Sequence, residues 1–502
     1  MDNIKKQKNV DEIKIYCYNK YQIFIMTISN IVNKGGYLSS ILIKNAYKIA
    51  LMDDDYTVLD GHSILINDNK IAKIAQSIDE PADRIIDAKD MVIIPGMVNT
   101  HHHLYQALFR NVPAVQDSKL FDWLTTLYEA WREIDEESVY YGALTGLGEL
   151  LLTGCTTTTD HHYLFPQKSS PFLIDAEIKA AQKLGIRFYP TRGSMSLSKK
   201  DGGLPPDDVI QSQEDIMQDC ERLIKKFHDP SPFAMTRINL APCSPFSITE
   251  QSLRETAEFA RKFDKVLLHT HVAETKDEED FCIEKFGCRP VSYMERVGWL
   301  GDDVWFAHCV HLNAEEISKM AKTGTGVAHC PSSNMRLGSG IARIPDMIKA
   351  GVPVGLAVDG SASNDSSDML GETRQALLLH RVINGADAMS SNQALRIATK
   401  GGAEIFKSPE IGHISEGAAA DLAIFDFNKI WYTGAAHDPI GALLFSGASH
   451  ITEYTIVNGK IVVEKGHLVN ADEDEIIKKA QRISRTMVQK AEKKTNINFL
   501  KK

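Results

Sequence analysis

The sequence lacks two features that would suggest a large partner. No apolar run approaches the roughly 20 residues that a membrane-spanning helix needs. No long basic run precedes the C-terminal stretch, and the formal net charge is -10, whereas phosphate binding needs a basic surface. We therefore expect neither a membrane nor a nucleic acid as partner.

Cysteine is present but not in pairs. None of the eight cysteines forms a Cys-x-x-Cys motif, which argues against a disulfide framework and against a cysteine zinc site. The N-terminal region also lacks a small-residue cleavage site after an apolar core. Both absences favour a reduced, cytoplasmic location.

Residues 1–37 differ from the rest and are predicted to be an N-terminal extension. They are rich in Lys, Asn and Asp around a short apolar run. The extension could be a disordered tail, an edge strand or a stretch upstream of a truer start at Met26. The sequence leaves these alternatives open.

The remaining chain predicts an α/β fold with two parts. Short strand patterns over 38–91 and 410–470 predict a small β-sandwich domain built from both chain ends. Between them, over 92–409, strand and helix patterns alternate, which is typical of a (β/α)8 TIM-type barrel. The strands are expected at 91–99, 156–159, 187–189, 237–240, 266–268, 304–307, 325–328 and 352–358. The helices are expected at 136–152, 174–184, 213–227, 250–263, 314–321 and 341–350, and a C-terminal helix is expected within 471–502.

Three consecutive histidines end the first predicted barrel strand. Because side chains alternate along a strand, His101 and His103 should point one way and His102 the other. Two imidazoles at this spacing can bind zinc, although an isolated His-x-His is more often a hydrogen-bonded pair.

Further polar residues lie where other predicted strands end. His269, His271 and Glu274 follow strand five, His308 ends strand six and Asp359 ends strand eight. Each residue alone could be structural, for example a core histidine or a helix cap. Because barrel active sites lie at the C-terminal ends of the strands, their joint occurrence indicates a metal site.

With these residues in place, the chain resembles the amidohydrolase superfamily, and within it the 8-oxoguanine deaminase branch, which is related to triazine hydrolases and guanine deaminases. The resemblance runs from about residue 38 to residue 466. It extends to the strings DHHYLFP (160–166), TRGSMSL (191–197), DGGLPP (201–206), APCSPF (241–246), HCPSSNMRL (329–337) and DGSASND (359–365). It implies His101, His103, His271 and Asp359 as ligands of one Zn²⁺ per subunit, although the same ligands also accept iron or manganese.

This ligand set predicts hydrolytic chemistry. Zinc lowers the pKa of bound water to about 7, so a water molecule becomes a nucleophile at cellular pH. Glu274 is expected to shuttle the proton of that water to the ring nitrogen and the leaving amine. His308 would orient the nucleophile or stabilise charge, and Asp359 would take the second proton.

Two residues are expected to contact the substrate. Gln106 can pair with a lactam edge, and Trp123 can stack on a purine plane or, with equal weight, pack within a helix. Arg192 and Asn334 are weaker candidates. His102, His161, His162 and His329 are interpreted as structural.

The resemblance implies a deaminase that converts 8-oxoguanine to urate and ammonia. The alternatives are another aminated heterocycle (guanine, a pterin, or an s-triazine such as a hydroxyatrazine) and a non-catalytic scaffold. The expected partners are a small heterocyclic base and water. We also expect a homo-oligomer, as is common in this fold.

Overall fold

The computed structural model describes residues 39–501 and the backbone of two earlier strands, β1 (Lys14–Asn19) and β2 (Gln22–Thr27). These two strands pair antiparallel and belong to a compact unit of their own, Met1–Ser39. The other residues of the predicted extension lie outside the described residues, so its status as a tail, an edge strand or a stretch before a later start stays a prediction. The second unit, Ser40–Lys502, contains everything that follows.

The second unit begins with seven strands of a β-rich region. They are β3 (Ser40–Lys44), β4 (Lys48–Ala50), β5 (Val58–Asp60), β6 (Ser63–Asn67), β7 (Lys70–Ala75), β8 (Arg84–Asp87) and β9 (Met91–Pro95). One sheet has the strand order β7-β6-β3-β8. Strands β3 and β4 are separate because the chain turns at Asn45, where φ is +58°.

The next ten strands build a parallel barrel. They are β10 (Met97–Asn99), β11 (Cys155–Thr158), β12 (His161–His162), β13 (Arg187–Phe188), β14 (Thr191–Ser194), β15 (Asn239–Pro242), β16 (Leu268–Val272), β17 (Val304–His308), β18 (Gly326–His329) and β19 (Val354–Leu356). All their pairings are parallel, in the orders β10-β11-β13 and β12-β14-β15-β16-β17-β18-β19. The Thr100 N–H donates to the carbonyl of Leu356 at 3.0 Å and links the last strand to the first. The predicted barrel is confirmed.

Four strands near the C-terminus complete the β-rich region: β20 (Leu422–Asp426), β21 (Tyr454–Val457), β22 (Lys460–Glu464) and β23 (His467–Leu468). They form a seven-stranded sheet with earlier strands, in the order β23-β22-β21-β20-β9-β4-β5. Side chains of both sheets, including Ile43, Ile64, Ile93, Leu422 and Ile456, share one hydrophobic cluster. The sheets thus draw on both chain ends, while the predicted boundaries between domains stay predictions.

Fifteen helices lie within the described residues and cover much of the barrel. They are α1 (Leu120–Trp131), α2 (Glu136–Leu152), α3 (Leu173–Leu184), α4 (Gln213–Phe227), α5 (Glu250–Ala260), α6 (Lys276–Phe286), α7 (Pro290–Arg296), α8 (Ala314–Thr323), α9 (Pro331–Arg336), α10 (Ile344–Ala350), α11 (Met369–Asn384), α12 (Ser391–Ala398), α13 (Lys400–Ile405), α14 (Pro439–Phe445) and α15 (Glu473–Thr495). Among these described helices, none is long and apolar enough to cross a membrane. Seven cysteines of residues 39–501 are free thiols.

The strand predicted at 91–99 is wrong as a single barrel strand. It breaks at Gly96: β9 pairs with β20 in the chain-end sheet, and β10 pairs with β11 in the barrel. A Cβ on Gly96 would overlap the side chain of Thr156, so the close approach requires glycine here. This break connects the chain-end sheet directly to the strand that precedes the three histidines.

Other predicted bounds shift by a few residues. Strands four and five begin about two residues later than expected, at Asn239 and Leu268. The strand expected at 352–358 is only β19, because the chain leaves the sheet where the Val358 N–H donates to the Asn99 side chain at 2.9 Å. The helices at 136–152 and 213–227 have the predicted bounds, whereas α1 was not predicted.

A buried ion pair joins the barrel to the chain-end sheet. Arg187 of β13 contacts Asp421, which precedes β20, and both side chains are buried. Arg187 also donates to Thr157 and to Asn458 at 3.2 Å each, and Asp421 accepts the Asn458 N–H at 2.6 Å. Because a buried carboxylate without its cation is costly, this pair should be sensitive to removal of either side chain.

We expect Arg187→Met to lower the free energy of unfolding by about 3–5 kcal/mol, because it leaves the Asp421 carboxylate buried and unpaired. Urea denaturation followed by circular dichroism measures the change. The double variant Arg187→Met/Asp421→Asn should recover part of the loss, since the asparagine still accepts the Asn458 N–H. Equal losses in the single and double variants would contradict this account.

Candidate metal centre and substrate pocket

The four predicted metal ligands meet at the C-terminal end of the barrel. His101 and His103 follow β10, His271 lies on β16 and Asp359 follows β19. Asp359 Oδ1 is 3.2 Å from His101 Nε2 and 3.4 Å from His103 Nε2, and His103 Nε2 is 3.2 Å from His271 Nε2. The three histidines have already left the β10 strand, yet His101 and His103 reach the same point while His102 points elsewhere.

Two of the imidazoles are oriented by backbone carbonyls. His103 Nδ1 is 2.8 Å from the carbonyl of His161, and His271 Nδ1 is 2.6 Å from the carbonyl of Cys243. Because a carbonyl only accepts, each Nδ1 carries the proton and donates it. Burial lowers the pKa of both rings below the ordinary histidine value, so both are neutral and each Nε2 presents a lone pair.

The third imidazole is oriented through another histidine. His269 Nδ1 donates to the carbonyl of Trp305 at 2.9 Å, so His269 Nε2 is free to accept the His101 Nδ1–H at 2.7 Å. The His269 ring also stacks on Trp305, with centroids 4.3 Å apart. Burial lowers the pKa of His269 to about 3 and that of His101 well below its ordinary value. His101 therefore presents its Nε2 lone pair toward Asp359.

This arrangement fits a divalent metal. The Nε2 lone pairs of His103 and His271 face each other at 3.2 Å, and no proton is available to lie between them. A cation bound to both nitrogens would remove this repulsion. Three neutral imidazoles and one carboxylate form a donor set suited to zinc and to other transition metals.

Glu274 and His308 lie beside this donor set. Glu274 Oε2 is 3.5 Å from His308 Nε2, and His308 Nδ1 donates to Asn334 Oδ1 at 2.9 Å. Glu274 Oε1 has no hydrogen-bond partner among residues 39–501. Burial raises the pKa of Glu274 to about 7, with His308 opposing and Asp359 reinforcing the shift. This carboxyl group can therefore take up and release a proton near neutral pH.

The backbone around Glu274 is itself fixed. Glu278, near the start of α6, accepts the N–H groups of Ala273 and Glu274 at 2.7 and 2.9 Å. Ala273 has a φ of +55°, a conformation that needs such support. Glu278 therefore holds the backbone of Glu274, the candidate proton shuttle, while His308 contacts its side chain.

A pocket opens beside these groups. One face of α1 forms much of its wall, with Leu120, Trp123, Leu124 and Tyr128. The other lining residues are His103, Gln106, Tyr163, Cys243, Phe246, His271, Glu274, His308, Leu337, Asp359 and Ser363. The wall is mostly apolar with a few polar groups, as in sites that bind flat heterocycles.

The two predicted substrate contacts both line this pocket. Gln106 Oε1 and Trp123 Nε1 are buried, and within the described part of the chain neither has a hydrogen-bond partner. One is an acceptor and the other a donor. A buried polar group without a partner is costly, so both would gain from a ligand that carries complementary groups.

The wall formed by α1 is braced from outside by the C-terminal helix α15. Lys494 of α15 pairs with Glu133, which follows α1, and Ser484 Oγ donates to the carbonyl of Leu108 at 2.6 Å. Leu108 belongs to the 3-10 helix Leu104–Phe109, which carries Gln106. Two sides of the pocket therefore depend on α15.

The weaker substrate candidates and the histidines interpreted as structural do not line the pocket. Arg192 is paired with Asp219 at 2.8 Å and does not line the pocket, and Asn334 lies behind His308. His102 bonds Ser367 Oγ at 3.0 Å, as expected of a core residue. His161 lies within 4.8 Å of the ligand nitrogens, but its Nε2 donates to the carbonyl of Ala241 at 2.9 Å.

Sequence reasoning missed several pocket residues. Ser363 Oγ donates to Asp359 Oδ2 at 3.2 Å, and Cys243 and Tyr163 line the cavity. All three lie inside sequence strings on which the family resemblance rests. Those strings could have indicated them as pocket residues, although the sequence assigned them no role. Leu120, Leu124 and Tyr128 gave no signal because α1 itself was not predicted.

Comparisons with known proteins agree with this geometry. A family model described as "Amidohydrolase family" matches residues 92–462. An 8-oxoguanine deaminase from Pseudomonas aeruginosa is 46% identical over 82% of this chain and 91% of its own length. A hydroxydechloroatrazine ethylaminohydrolase from Pseudomonas sp. strain ADP is 36% identical over 86% of this chain and 92% of its own. The crystal structure of atrazine chlorohydrolase from Arthrobacter aurescens TC1 complexed with zinc matches with a TM-score of 0.85 and 34% identity, covering 88% of this chain and 100% of that one.

We expect His269→Phe to weaken metal binding by about 10–100-fold, because His101 loses the acceptor that fixes its tautomer. Competition with a chromogenic chelator measures the affinity. His380→Phe is the matched control, since His380 is buried and bonds His329 at 3.1 Å rather than a predicted ligand. Unchanged affinity in His269→Phe, or an equal loss in both variants, would contradict the orienting role.

Proposed function

Because this chain belongs to the amidohydrolase family, we propose that it is a zinc-dependent aminohydrolase that converts 8-oxoguanine to urate and ammonia. The observation that carries this proposal is the presence, in one pocket, of a neutral three-histidine and one-carboxylate donor set and of the buried Glu274 carboxyl group, whose pKa is about 7 and whose Oε1 has no hydrogen-bond partner among the described residues. Relatives named as deaminases and aminohydrolases of heterocycles support the class of reaction.

In this proposal His101, His103, His271 and Asp359 hold the metal. The zinc reported in the related chlorohydrolase crystal structure supports that metal here, and the nitrogen-rich donor set agrees with it. When bound, the metal supplies Lewis acidity that lowers the pKa of a water molecule at the site. The carbonyls of His161, Cys243 and Trp305 fix the orientation of the ligand rings before the metal arrives.

Glu274 moves the protons. As the water oxygen forms its bond to the ring carbon that bears the amino group, Glu274 accepts a proton from the water and delivers it to the adjacent ring nitrogen. When the C–N bond breaks, the amino group needs a further proton to leave as ammonia, and the second water proton supplies it. A carboxyl group with a pKa of about 7 suits both transfers at neutral pH.

His308 and Asp359 assist Glu274. His308, fixed by Asn334, donates through Nε2 when it carries the second ring proton, and can stabilise negative charge that develops on the attacking oxygen. Asp359 receives the second water proton in this scheme and passes it to the amino group, which leaves as ammonia. Its oxygen is also fixed by Ser363 at 3.2 Å.

The pocket favours a free base. Gln106 Oε1 can accept from a ring N–H, and the Trp123 indole can donate to a ring oxygen or nitrogen. The oxidised imidazole ring of 8-oxoguanine offers N–H donors and an additional carbonyl, which complements this acceptor and donor. The surrounding apolar wall of α1 and Phe246 encloses a planar ring and provides little polar contact for a sugar.

A second candidate is hydrolysis of an aminated s-triazine. The relative named for a hydroxydechloroatrazine is 36% identical over most of both chains, which supports a substrate of that class. Guanine and pterins share the same amidine chemistry and remain alternatives. The intact donor set and Glu274 argue against a non-catalytic scaffold. A homo-oligomeric state and a cytoplasmic location stay predictions.

We expect ammonia release from 8-oxoguanine with a kcat/KM at least about tenfold above that for guanine, isoxanthopterin or a hydroxytriazine, because the carbonyl and N–H groups of its oxidised ring complement the Trp123 donor and the Gln106 acceptor. A coupled ammonia assay on one metal-loaded preparation measures all four. Turnover of a triazine without turnover of 8-oxoguanine would replace the first proposal by the second. No turnover of any base by zinc-loaded protein would contradict both.

We expect Glu274→Gln to retain the metal and lose turnover by about 10²–10⁴-fold, because an amide cannot shuttle a proton. Metal content and kcat are measured on the same sample. Glu279→Gln, in α6 and paired with Arg289 away from the pocket, is the matched control and should keep its activity. A fully active Glu274→Gln enzyme would remove Glu274 from the mechanism.

A further inference from the structure

A second cluster of ionisable side chains lies outside the pocket. It consists of Asp160, which follows β11, His162 of β12 and Glu177 of α3, and we call it the backing cluster. All three side chains are fully buried, and one nitrogen or oxygen of each lies within 4.8 Å of the others. None of them lines the substrate pocket or belongs to the predicted ligand set.

The segment that contains the backing cluster is bonded to the loop that contains His103 and Gln106. Asp160 Oδ1 accepts the Leu104 N–H at 2.6 Å, directly after His103 and at the start of the 3-10 helix Leu104–Phe109. The His161 N–H donates to the carbonyl of His102 at 2.7 Å, and the His161 carbonyl accepts the His103 Nδ1–H. Three hydrogen bonds thus tie residues 160–161 to residues 102–104.

The other two members support Asp160 from behind. His162 Nε2 donates to the carbonyl of Leu164 at 3.0 Å, and His162 Nδ1 is 2.8 Å from Glu177 Oε1, so a proton lies between this nitrogen and this oxygen. One oxygen of Asp160 lies within 4.8 Å of one oxygen of Glu177, and after burial the Glu177 carboxyl is the largest influence that raises the pKa of Asp160. Two carboxyl groups this close and this buried share protons rather than carry two negative charges.

We propose that Asp160, His162 and Glu177 form a buried positioning cluster that holds the loop of His103 and Gln106 in the geometry required for metal and substrate binding. None of the three is a catalytic residue, since none touches the pocket. The inference rests on the proposed function for the roles of His103 and Gln106, but not on which base is the substrate.

The backing cluster is better described as proton-linked than as a second metal site. Both ring nitrogens of His162 are already used, one by the Leu164 carbonyl and one by Glu177. An imidazole in that state has no lone pair to offer an ion. We therefore expect one metal per chain.

The test compares Asp160→Ala, Asp160→Asn and Glu177→Ala with the wild-type holoenzyme. We expect Asp160→Ala to raise KM and the rate of metal loss to a chelator by about 10–100-fold each, because supporting partners of ligands contribute that much. Asp160→Asn keeps an oxygen that accepts the Leu104 N–H and should stay within about threefold of wild type. Glu177→Ala should show a smaller change in the same two quantities, since the Asp160 to Leu104 bond remains.

A matched control separates positioning from simple destabilisation. Ile178→Ala removes a buried apolar side chain from the same helix, α3, and leaves the three ionisable groups of the cluster in place. It should lower the Tm while leaving KM and the rate of metal loss unchanged. Equal effects of Ile178→Ala and Glu177→Ala on these two quantities would overturn the proposal.

Coupling within the cluster provides the final measurement. Because Glu177 acts through Asp160, the double variant Asp160→Ala/Glu177→Ala should lose metal no faster than Asp160→Ala alone, whereas independent sites would add. If Asp160→Ala does not fold, Glu177→Ala and Asp160→Asn carry the comparison. Additive effects of the two substitutions on the rate of metal loss would overturn the proposal. So would a wild-type chain that binds two metal ions and a Glu177→Gln variant that binds only one. Metal loss and stoichiometry need no substrate, so this test stands apart from the choice of base.

Discussion

The site depends on where three imidazole protons are held. Backbone carbonyls accept the Nδ1 protons of His103 and His271, and His269 accepts that of His101 because the Trp305 carbonyl has fixed its own tautomer. Every ligand nitrogen that faces the centre is consequently free of a proton. The barrel supplies these acceptors from neighbouring strands. The strand register therefore determines which nitrogen of each ligand ring carries the proton.

The same register explains why the ligands could be predicted. Barrel strands end at one rim, and polar residues that follow apolar strand patterns must meet there, as His271 and Asp359 do. The orienting role of His269 could not be predicted, although its strand face was. Its partner, His101, lies 168 positions away, and only the paired sheet shows that the two rings touch.

Other features escaped the sequence for local reasons. The break at Gly96 is invisible in an apolar run, because it arises from the approach of Thr156 on the next strand. The helix α1 has an ordinary amphipathic sequence, and its apolar face both packs into the main hydrophobic core and lines the pocket. Trp123 was accordingly weighed equally between packing and binding, and its unpartnered indole N–H now favours binding.

The proposed metal ligands and the pocket wall come from different parts of the fold. The proposed metal ligands come from the ends of barrel strands, while much of the pocket wall comes from one helix inserted between β10 and β11. Substitutions on that helix can alter the shape and polarity of the cavity without moving a single ligand. Such an arrangement lets substrate preference diverge rapidly among descendants of one ancestor while the reaction itself is inherited unchanged.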